Sequence, residues 1–486
     1  MKNIFYKITI LALIAGFSTS CDNELDQVPF DQFGTSQAYI TAEDFENGIR
    51  GVYSILVQKT FEDGSTAPTI YGGSDAGSML STPDILSDNV TLAQAGRNTQ
   101  FTAHNWNYSA ANSILGGLYF YSYELVYRAN TLLAFADDFE GESKANIIAE
   151  AKALRALANF NLVNFYGKIP TQSGDANSAL GIAYVTEPDP VIEPARISVG
   201  EVYNNIAIDL ADAAANINSD NGPGRMGTDA VNLLLSRVYL YMGQWQNAIN
   251  AANQVSTPVA PRADVVGVWT DDNKSGVLFN IPNEVGVVDQ SAGIVWSQGP
   301  PPNLIPEYAA SFGLYNLFED DDIRRDAYTF SGTDTGGNEY NAIKKLFGRG
   351  SSFNGKVDFK IFRAAEAQLN IAEAQYNLGN ESGARTALDA VRTKRYETPP
   401  SGETGNALRD AIRLERRLEF AFEYQRYFDL KRWGLPVTRL STGEFADGTG
   451  TASEQLTLQA SSFKFQLPIS QASRDTNPNL QQNPGY

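Results

Sequence analysis

Three glutamates recur at intervals of four residues in a stretch with helical periodicity: Glu415, Glu419 and Glu423. That spacing places their carboxylates along one face of a helix. Paired carboxylates hydrolyse glycosidic bonds when they flank a sugar at a suitable separation, so a glycoside hydrolase is one hypothesis. Like charges four residues apart destabilise a helix unless opposite charges intervene. We therefore favour a structural ion-pair network, because five arginines intersperse the glutamates: Arg413, Arg416, Arg417, Arg426 and Arg432.

Cysteine and histidine each occur once, which excludes several catalytic and metal sites. A single Cys cannot form an internal disulfide, an iron–sulfur site or a Cys-rich zinc site. A Ser-His-Asp triad would depend on His104 alone. His104 lies in the polar and aromatic segment FTAHNWNY (101–108), and we expect a hydrogen-bonding role rather than a catalytic one. We predict that the protein is not an enzyme and uses no cofactor or metal.

The composition is that of an acidic globular protein. Its 486 residues are 43% hydrophobic, enough for a sizeable packed core. With 56 acidic against 37 basic residues, the formal net charge is -19. Such a chain repels polyphosphate and anionic headgroups, so nucleic acid is excluded as a partner.

The N-terminus has the pattern of a signal peptide that ends before the only cysteine. Lys2 and Lys7 precede a mostly apolar run at 8–17, which is too short to span a membrane. Cleavage after residue 20 would leave Cys21 at the new N-terminus, where acylation creates a lipoprotein anchor. The alternative is a secreted protein with an unmodified Cys. Three acidic residues follow, in a pattern similar to the signal that sends lipoproteins to the cell surface in Bacteroidetes: Asp22, Glu24 and Asp26.

Helical periodicity dominates the rest of the chain. Thr41 with Asp44, and Ser198 with Glu201, have the spacing of capping boxes at helix starts. No strand alternates with each helix, which argues against a doubly wound α/β sheet. The pattern predicts helices at 41–57, 112–135, 142–166, 198–217, 228–241, 245–255, 364–378, 382–394 and 406–433.

Two helical pairs repeat at an offset of 136 residues. Gly243, Ala248, Ala251 and Val255 recur as Gly379, Ala384, Ala387 and Val391. A glycine that ends one helix and small residues where the next one packs are typical of tetratricopeptide (TPR) hairpins. The alternative is two unrelated hairpins in an alanine-rich chain. Long polar segments rich in Gly, Pro, Ser and Asn separate the helices, at 62–108, 171–197, 257–306 and 329–357.

Five segments in order resemble the SusD/RagB family of surface nutrient-binding lipoproteins. They are EAKALRALANFNLVNFYGKIP (150–170), GRMGTDAVNLLLSRVYLYMGQWQNAINAANQV (224–255), FRAAEAQLNIAEAQYNLG (362–379), ERRLEFAFEYQRYFDLKRWG (415–434) and LPISQASRDTNPNLQQNPGY (467–486). The resemblance runs from Cys21 to Tyr486. It implies a TPR-like helical half, a loop-rich irregular half and an N-terminal lipid at the outer membrane facing the cell exterior. It also implies an oligosaccharide ligand, less often a peptide, delivered to a SusC-like TonB-dependent transporter.

Sugar recognition needs flat aromatic faces with amides and carboxylates beside them. Trp106, Trp269 and Trp296 fall in the long loops, where no helical periodicity requires them. The alternative is that these rings close the loops over the helical half. Family ligands often contact the region of Asp88 and Asn89, so the resemblance adds these two as polar partners. The candidate ligand-binding residues are Trp106, Trp269, Trp296, Asp88, Asn89 and His104.

We therefore expect a mainly α protein with a SusD-like fold, TPR-like hairpins and a loop-rich half. The predicted division is a signal peptide at 1–20 and a mature lipoprotein at 21–486. Within the mature chain, we expect an N-terminal region at about 21–220 and a C-terminal region at about 221–486. The functional hypothesis is glycan capture for a transporter. A glycoside hydrolase and a TPR-type protein scaffold remain alternatives.

Overall fold

The computed structural model describes residues 39–61, 63–72, 77–283 and 290–486. The predicted signal peptide and the predicted lipid attachment at Cys21 lie outside these residues and stay predictions. Among the described residues, no helix is both long and apolar enough to cross a membrane.

The described chain is mainly helical, and both predicted capping boxes are present. The Thr41 side chain accepts from the Asp44 N–H, and the Asp44 carboxylate accepts from the Thr41 N–H; Ser198 and Glu201 do the same. The helices are α1 (Ala42–Ser54), α2 (Thr82–Ile85), α3 (Phe101–His104), α4 (Gly116–Ala134), α5 (Lys144–Tyr166), α6 (Val199–Asn216), α7 (Thr228–Tyr241), α8 (Trp245–Ala252), α9 (Val265–Trp269), α10 (Phe312–Tyr315), α11 (Ile323–Tyr328), α12 (Ala364–Asn377), α13 (Glu381–Arg392), α14 (Gly405–Glu419), α15 (Arg426–Arg432) and α16 (Gln471–Thr476).

The two predicted TPR-like hairpins are α7–α8 and α12–α13. Gly243 and Gly379 follow their first helices with φ of 71° and 78°, a left-handed conformation that a side chain would strain. Ala248 of α8 and Ala384 of α13 are buried where the paired helices meet. Helix α12 also packs against both helices of the first hairpin. The hairpins therefore form one packed unit, and α5 extends the helical layer by packing between α4 and α6.

The predicted helix at 406–433 is two helices. Phe422 and Tyr424 adopt φ of 63° and 58°, so the helix ends at Glu419 and resumes at Arg426. The buried Asp84 carboxylate accepts the N–H groups of Phe422 and Tyr424 at 3.1 and 2.8 Å. Burial raises the pKa of Asp84 to about 6. A carboxylate 338 residues away in the sequence thus stabilises a turn that local periodicity does not predict.

Short antiparallel strands organise the long loops. In the described residues the strands are β1 (Gln58–Thr60), β2 (Thr66–Pro68), β3 (Val90–Leu92), β4 (Val277–Ile281), β5 (Ser297–Gln298), β6 (Ile305–Pro306), β7 (Tyr308–Ala310), β8 (Thr329–Thr333), β9 (Glu339–Ile343), β10 (Phe359–Arg363), β11 (Val437–Thr438) and β12 (Thr457–Leu458). They form one four-stranded sheet in the order β3-β7-β9-β8 and four two-stranded ladders, which pair β1 with β2, β4 with β10, β5 with β6 and β11 with β12.

One large apolar core joins the helical half to the loop-rich half. It contains Ile49 of α1 and Leu154 of α5 together with Trp296 and Phe359 from the loop-rich segments. The predicted boundary near residue 220 falls between α6 and α7, and it stays a prediction. Because the core is shared, the loops have a fixed position on the helices.

Candidate functional site

The three glutamates that suggested a hydrolase are held in buried ion pairs. Glu419 accepts two hydrogen bonds of 2.8 Å from Arg395 and one of 2.7 Å from Arg363. Burial opposes ionisation of Glu419, but Arg395 and Arg363 outweigh it and hold the pKa well below its usual range. Glu415 pairs with Arg324 at 2.6 Å. These carboxylates are buried and neutralised, so the structural interpretation is confirmed.

Two details of that interpretation are wrong. Glu423 lies beyond the end of α14, so the three carboxylates do not share one helix. The partners also come from other segments: Glu423 pairs with Lys345 and with Arg363. The interspersed arginines point elsewhere, because side chains on adjacent helical faces reach different neighbours. Arg416 pairs with Asp429, Arg417 and Arg426 with Asp88, and Arg432 with Glu373.

The two residues predicted as polar ligand partners, Asp88 and Asn89, make their hydrogen bonds and ion pairs inside the protein. Asp88 pairs with Arg426 at 2.8 Å and Arg417 at 3.2 Å. Burial opposes ionisation of Asp88, but the two arginines outweigh it and hold its pKa well below the usual range. The Asn89 side chain donates to Asp84 at 2.9 Å and accepts from Arg417 at 3.0 Å. Both side chains are buried with their hydrogen bonds made, so they have little capacity left for a ligand.

His104 is also buried, as a neutral residue. Its Nε2 lies 3.0 Å from Ser453 Oγ, and burial holds its pKa well below the usual value, with the Arg439 charge adding to the effect. Its ring packs against Tyr308 with centroids 5.6 Å apart. The expected hydrogen-bonding role is confirmed, but His104 lies in the interior and not on an open loop.

The three loop tryptophans do not form an exposed platform. Trp106 and Trp269 are each 3% exposed, and Trp296 is fully buried. Trp106 donates to the Leu86 carbonyl at 3.0 Å, and Trp269 packs edge-on to Tyr328. The alternative interpretation, in which loop aromatics close over the helical half, is the one that the structure supports. The physical reason is that loops without regular patterning bury their largest apolar side chains to acquire a core.

The buried Arg439 guanidinium contacts two of these residues, His104 and Trp106. It donates to the carbonyls of Ser87 and His104 at 2.9 and 2.7 Å and lies over the Trp106 ring at 4.2 Å. Burial lowers the pKa of Arg439 to about 9. Trp269 lies apart, under the Lys345 ammonium at 4.3 Å. The predicted site residues therefore have separate structural contacts and do not line one common cavity.

An open cavity of about 550 Å³ lies instead on the helical half, and we name it the aromatic groove. Helix α4 forms one wall, the segment 183–194 and the C-terminal segment 468–480 form the others. Phe120 is 62% exposed and Tyr127 is 39% exposed, so both rings offer faces to solvent. Such a cavity combines flat apolar faces with hydroxyl, amide and carboxylate groups. Its aromatic lining is Tyr119, Phe120, Tyr123, Tyr127 and Tyr166.

The inner wall of the aromatic groove is held in place by packing and hydrogen bonds. The Tyr123 hydroxyl donates to the Ala183 carbonyl at 3.1 Å, and the Tyr119 ring packs edge-on to Tyr123 and Tyr166 at 5.0 and 4.9 Å. Burial holds the pKa of Tyr123 well above its ordinary value, so its hydroxyl stays protonated. The Glu124 carboxylate is neutralised by Lys59 at 2.8 Å. The inner wall of the groove is thus held by packing, and its carboxylate is paired.

The sequence contained a signal for this groove that loop-based reasoning missed. Tyr119, Tyr123 and Tyr127 recur every four residues in α4, and Phe120 precedes Tyr127 by seven. Residues at these spacings share one helical face. A stripe of aromatic residues on a helix is normally buried in the core. Only the tertiary structure shows that part of the stripe on α4 is exposed to solvent.

Family models match two successive parts of the chain, which together make up more than half of it. A model described as the SusD family matches residues 325–486, and one described as starch-binding associating with outer membrane matches residues 64–240. A SusD-like protein from Formosa agariphila is 21% identical, covering 86% of this chain and 87% of its own length. One from Bacteroides ovatus is 23% identical, covering 89% and 83%.

Solved structures share the fold. A putative sugar binding protein from Bacteroides vulgatus superposes with a TM-score of 0.79 at 22% identity, covering 92% of this chain and 99% of its own. Surface glycan-binding protein A from Bacteroides fluxus gives a TM-score of 0.71 at 22% identity, covering 92% and 100%. The fold is therefore the mainly α, SusD-like fold that the sequence predicts. With the matching family models, this means that the chain belongs to the SusD/RagB family.

Proposed function

We propose that this protein binds an oligosaccharide in the aromatic groove, at the outer membrane, and delivers it to a SusC-like TonB-dependent transporter. The observation that carries the proposal is the pair of solvent-facing rings, Phe120 and Tyr127, on a cavity of about 550 Å³. Aromatic faces stack on the C–H edges of sugars, and a cavity of this size accommodates a short oligosaccharide. The descriptions of the matched outer-membrane model and of the glycan-binding neighbours support the same function.

The chemistry of the aromatic groove favours a neutral glycan. Glu124, the carboxylate on the inner wall of the groove, is already paired with Lys59 and Arg128. The remaining carboxylates at its rim, Glu187 and Asp189, would accept hydrogen bonds from sugar hydroxyls and would repel an anionic ligand. Binding of this kind requires no bond to be broken. The action proposed is capture and transfer.

The binding test is isothermal titration of the purified mature chain against a panel of neutral oligosaccharides. Phe120→Ala should weaken binding of the best ligand about tenfold, because burying a phenylalanine side chain contributes about 1.5 to 3 kcal/mol. Phe353→Ala is the matched control, since Phe353 is a comparably exposed ring in the loop-rich half. If Phe353→Ala loses binding and Phe120→Ala binds like the parent, the ligand binds in the loop-rich half and the proposed site in the aromatic groove is wrong.

The transporter claim needs a separate experiment. The tagged protein is purified from native membranes in mild detergent, and its partners are identified by mass spectrometry. We expect a TonB-dependent outer-membrane barrel at near-equal amounts. Recovery of the protein without such a barrel would contradict the partnership while leaving glycan binding intact.

A protein-interaction scaffold is the second candidate function. Val191 and Ile192 are exposed apolar residues beside the aromatic groove. A protein partner that covered these two side chains would remove their apolar surface from water. If Val191→Asp abolishes copurification of the barrel and leaves glycan affinity unchanged, this face is the docking surface.

A further inference from the structure

A second cavity, of about 320 Å³, lies where the two TPR-like hairpins meet α14 and α15, and we name it the arginine pocket. Trp245 at the start of α8 and Trp433 after α15 form part of its lining, and both rings are half-buried. Arg413 of α14 also lines it. Two indole rings and a guanidinium therefore line one concave space, and it shares no lining residue with the aromatic groove.

The Trp433 ring is rigidly positioned. Its Nε1 donates to Glu373 Oε1 at 2.8 Å, and the Arg432 guanidinium carbon lies 4.7 Å from the ring centroid. Arg432 also donates to Glu373 Oε2 at 2.6 Å. The negative charge of Glu373 is consequently neutralised within the pocket wall.

Arg413 retains unused hydrogen-bonding capacity. Its guanidinium carbon lies 4.9 Å from the Trp433 ring centroid, and in the described part of the chain it has no ion pair within 4.0 Å and no hydrogen bond. Burial lowers the pKa of Arg413, and the charges of Arg409 and Arg432 lower it further. The Glu373 carboxylate has the opposite effect and raises this pKa. Arg409 is paired with Asp410 at the exposed rim. A guanidinium has five N–H donors, and in the described residues none of those of Arg413 is used in a hydrogen bond.

We propose that the arginine pocket binds the carboxylate- or sulfate-bearing unit of an acidic saccharide. The anion would accept from the Arg413 guanidinium, which Trp433 holds by stacking, while the Trp245 ring contacts the apolar face of the sugar ring. Planar guanidinium donors match carboxylate and sulfate oxygens, and indole faces match sugar C–H edges. A site of this kind is unexpected in a chain of net charge -19, because the overall field opposes anions. This proposal depends on the proposed function in one respect only, namely that the ligand is a glycan.

The experiment is titration of the mature chain at low ionic strength with four probes. These are a galacturonic acid tetramer, a sulfated galactose tetramer, a neutral glucose tetramer and an aspartate tetrapeptide. Arg413→Gln should weaken binding of the preferred acidic tetramer about tenfold to a hundredfold, since hydrogen bonds to charged groups contribute about 1.5 to 3 kcal/mol. It should change the affinity for the neutral tetramer by less than about twofold. Comparison of the two acidic sugars identifies the anion.

The controls separate this pocket from the aromatic groove and from a general charge effect. Arg385→Gln removes the same charge from a half-exposed arginine on α13 and should leave acidic binding unchanged. Phe120→Ala should also leave it unchanged. If acidic binding falls in Phe120→Ala and not in Arg413→Gln, the ligand lies in the aromatic groove and the arginine pocket is wrong. Equal binding of the aspartate peptide, or no acidic binding by the parent chain, would likewise overturn the proposal.

Discussion

Two sets of aromatic residues, one in each half, have opposite roles. In the loop-rich half, Trp106, Trp269 and Trp296 are buried and hold the loops against the helices. In the helical half, Phe120 and Trp433 line open cavities. The difference follows from patterning, because a helix must bury only one stripe of its surface whereas an irregular segment has no such stripe. Loops that need a core supply it with their largest side chains, and helices can present rings outward on a rigid support.

The largest effect is expected from Trp296→Ala. Removing this fully buried ring should lower the free energy of unfolding by about 3 to 5 kcal/mol, because the change leaves a cavity in the core. Urea denaturation followed by circular dichroism measures it. Glycan affinity per folded molecule should not change. A loss below about 1 kcal/mol would contradict the structural role assigned to the loop aromatics.

A pH-dependent effect is expected from Glu373→Gln in the wall of the arginine pocket. Burial opposes ionisation of Glu373, but Arg432 outweighs it and lowers the pKa from 4.5 to about 2. The stabilisation is therefore present above pH 4.5 and lost as the pH falls toward 2. It amounts to roughly 3 kcal/mol near pH 7. Urea midpoints of parent and variant should differ most at pH 7 and converge only as the pH approaches 2; a constant difference would refute the linkage.

A smaller effect is expected from Tyr123→Phe at the inner wall of the aromatic groove. The variant keeps the ring and loses the hydrogen bond to the Ala183 carbonyl. The free energy of unfolding should fall by about 1 kcal/mol. Tyr127→Phe, at an exposed position on the same helix, is the matched control and should lose less. Equal losses in thermal denaturation would show that the inner wall is not held by this bond.

The smallest stability effect is expected from Phe120→Ala. The ring is exposed, so the free energy of unfolding should change by no more than about 0.5 kcal/mol. The same variant should lose about tenfold in glycan affinity. If Phe120→Ala lowers the free energy of unfolding and leaves glycan affinity unchanged, Phe120 is a structural residue. The contrast between the aromatic residues of the two halves would then be wrong.

Local features of the fold could be predicted from the sequence. The capping boxes at Thr41 and Ser198 and the helix-ending turns at Gly243 and Gly379 depend on residues within a few positions of one another. Their energetics are local, so spacing alone identifies them. The turn between α14 and α15 could not be predicted, because the stabilising carboxylate is Asp84, far away in the chain.

The candidate site was harder to predict for the same reason. Loop position suggested that Trp106 and Asp88 face a ligand, yet both contact partners hundreds of residues away, Arg439 and Arg426. Burial is a property of the whole packing arrangement, and loops carry no periodicity from which to infer it. The sequence shows that the aromatic residues of α4 lie on one helical face, but it does not show that part of this face is exposed to solvent.

The sequence by itself determined the family, the mainly α fold and the repeated hairpins, because these depend on short-range patterns and on ordered segments along the chain. The tertiary structure alone decided which rings and charges are accessible. It buried the loop tryptophans, neutralised Glu415, Glu419 and Glu423 with distant cations, and left Phe120 and Arg413 on open cavities. Accessibility depends on contacts between distant segments, and such contacts exist only once the chain has packed.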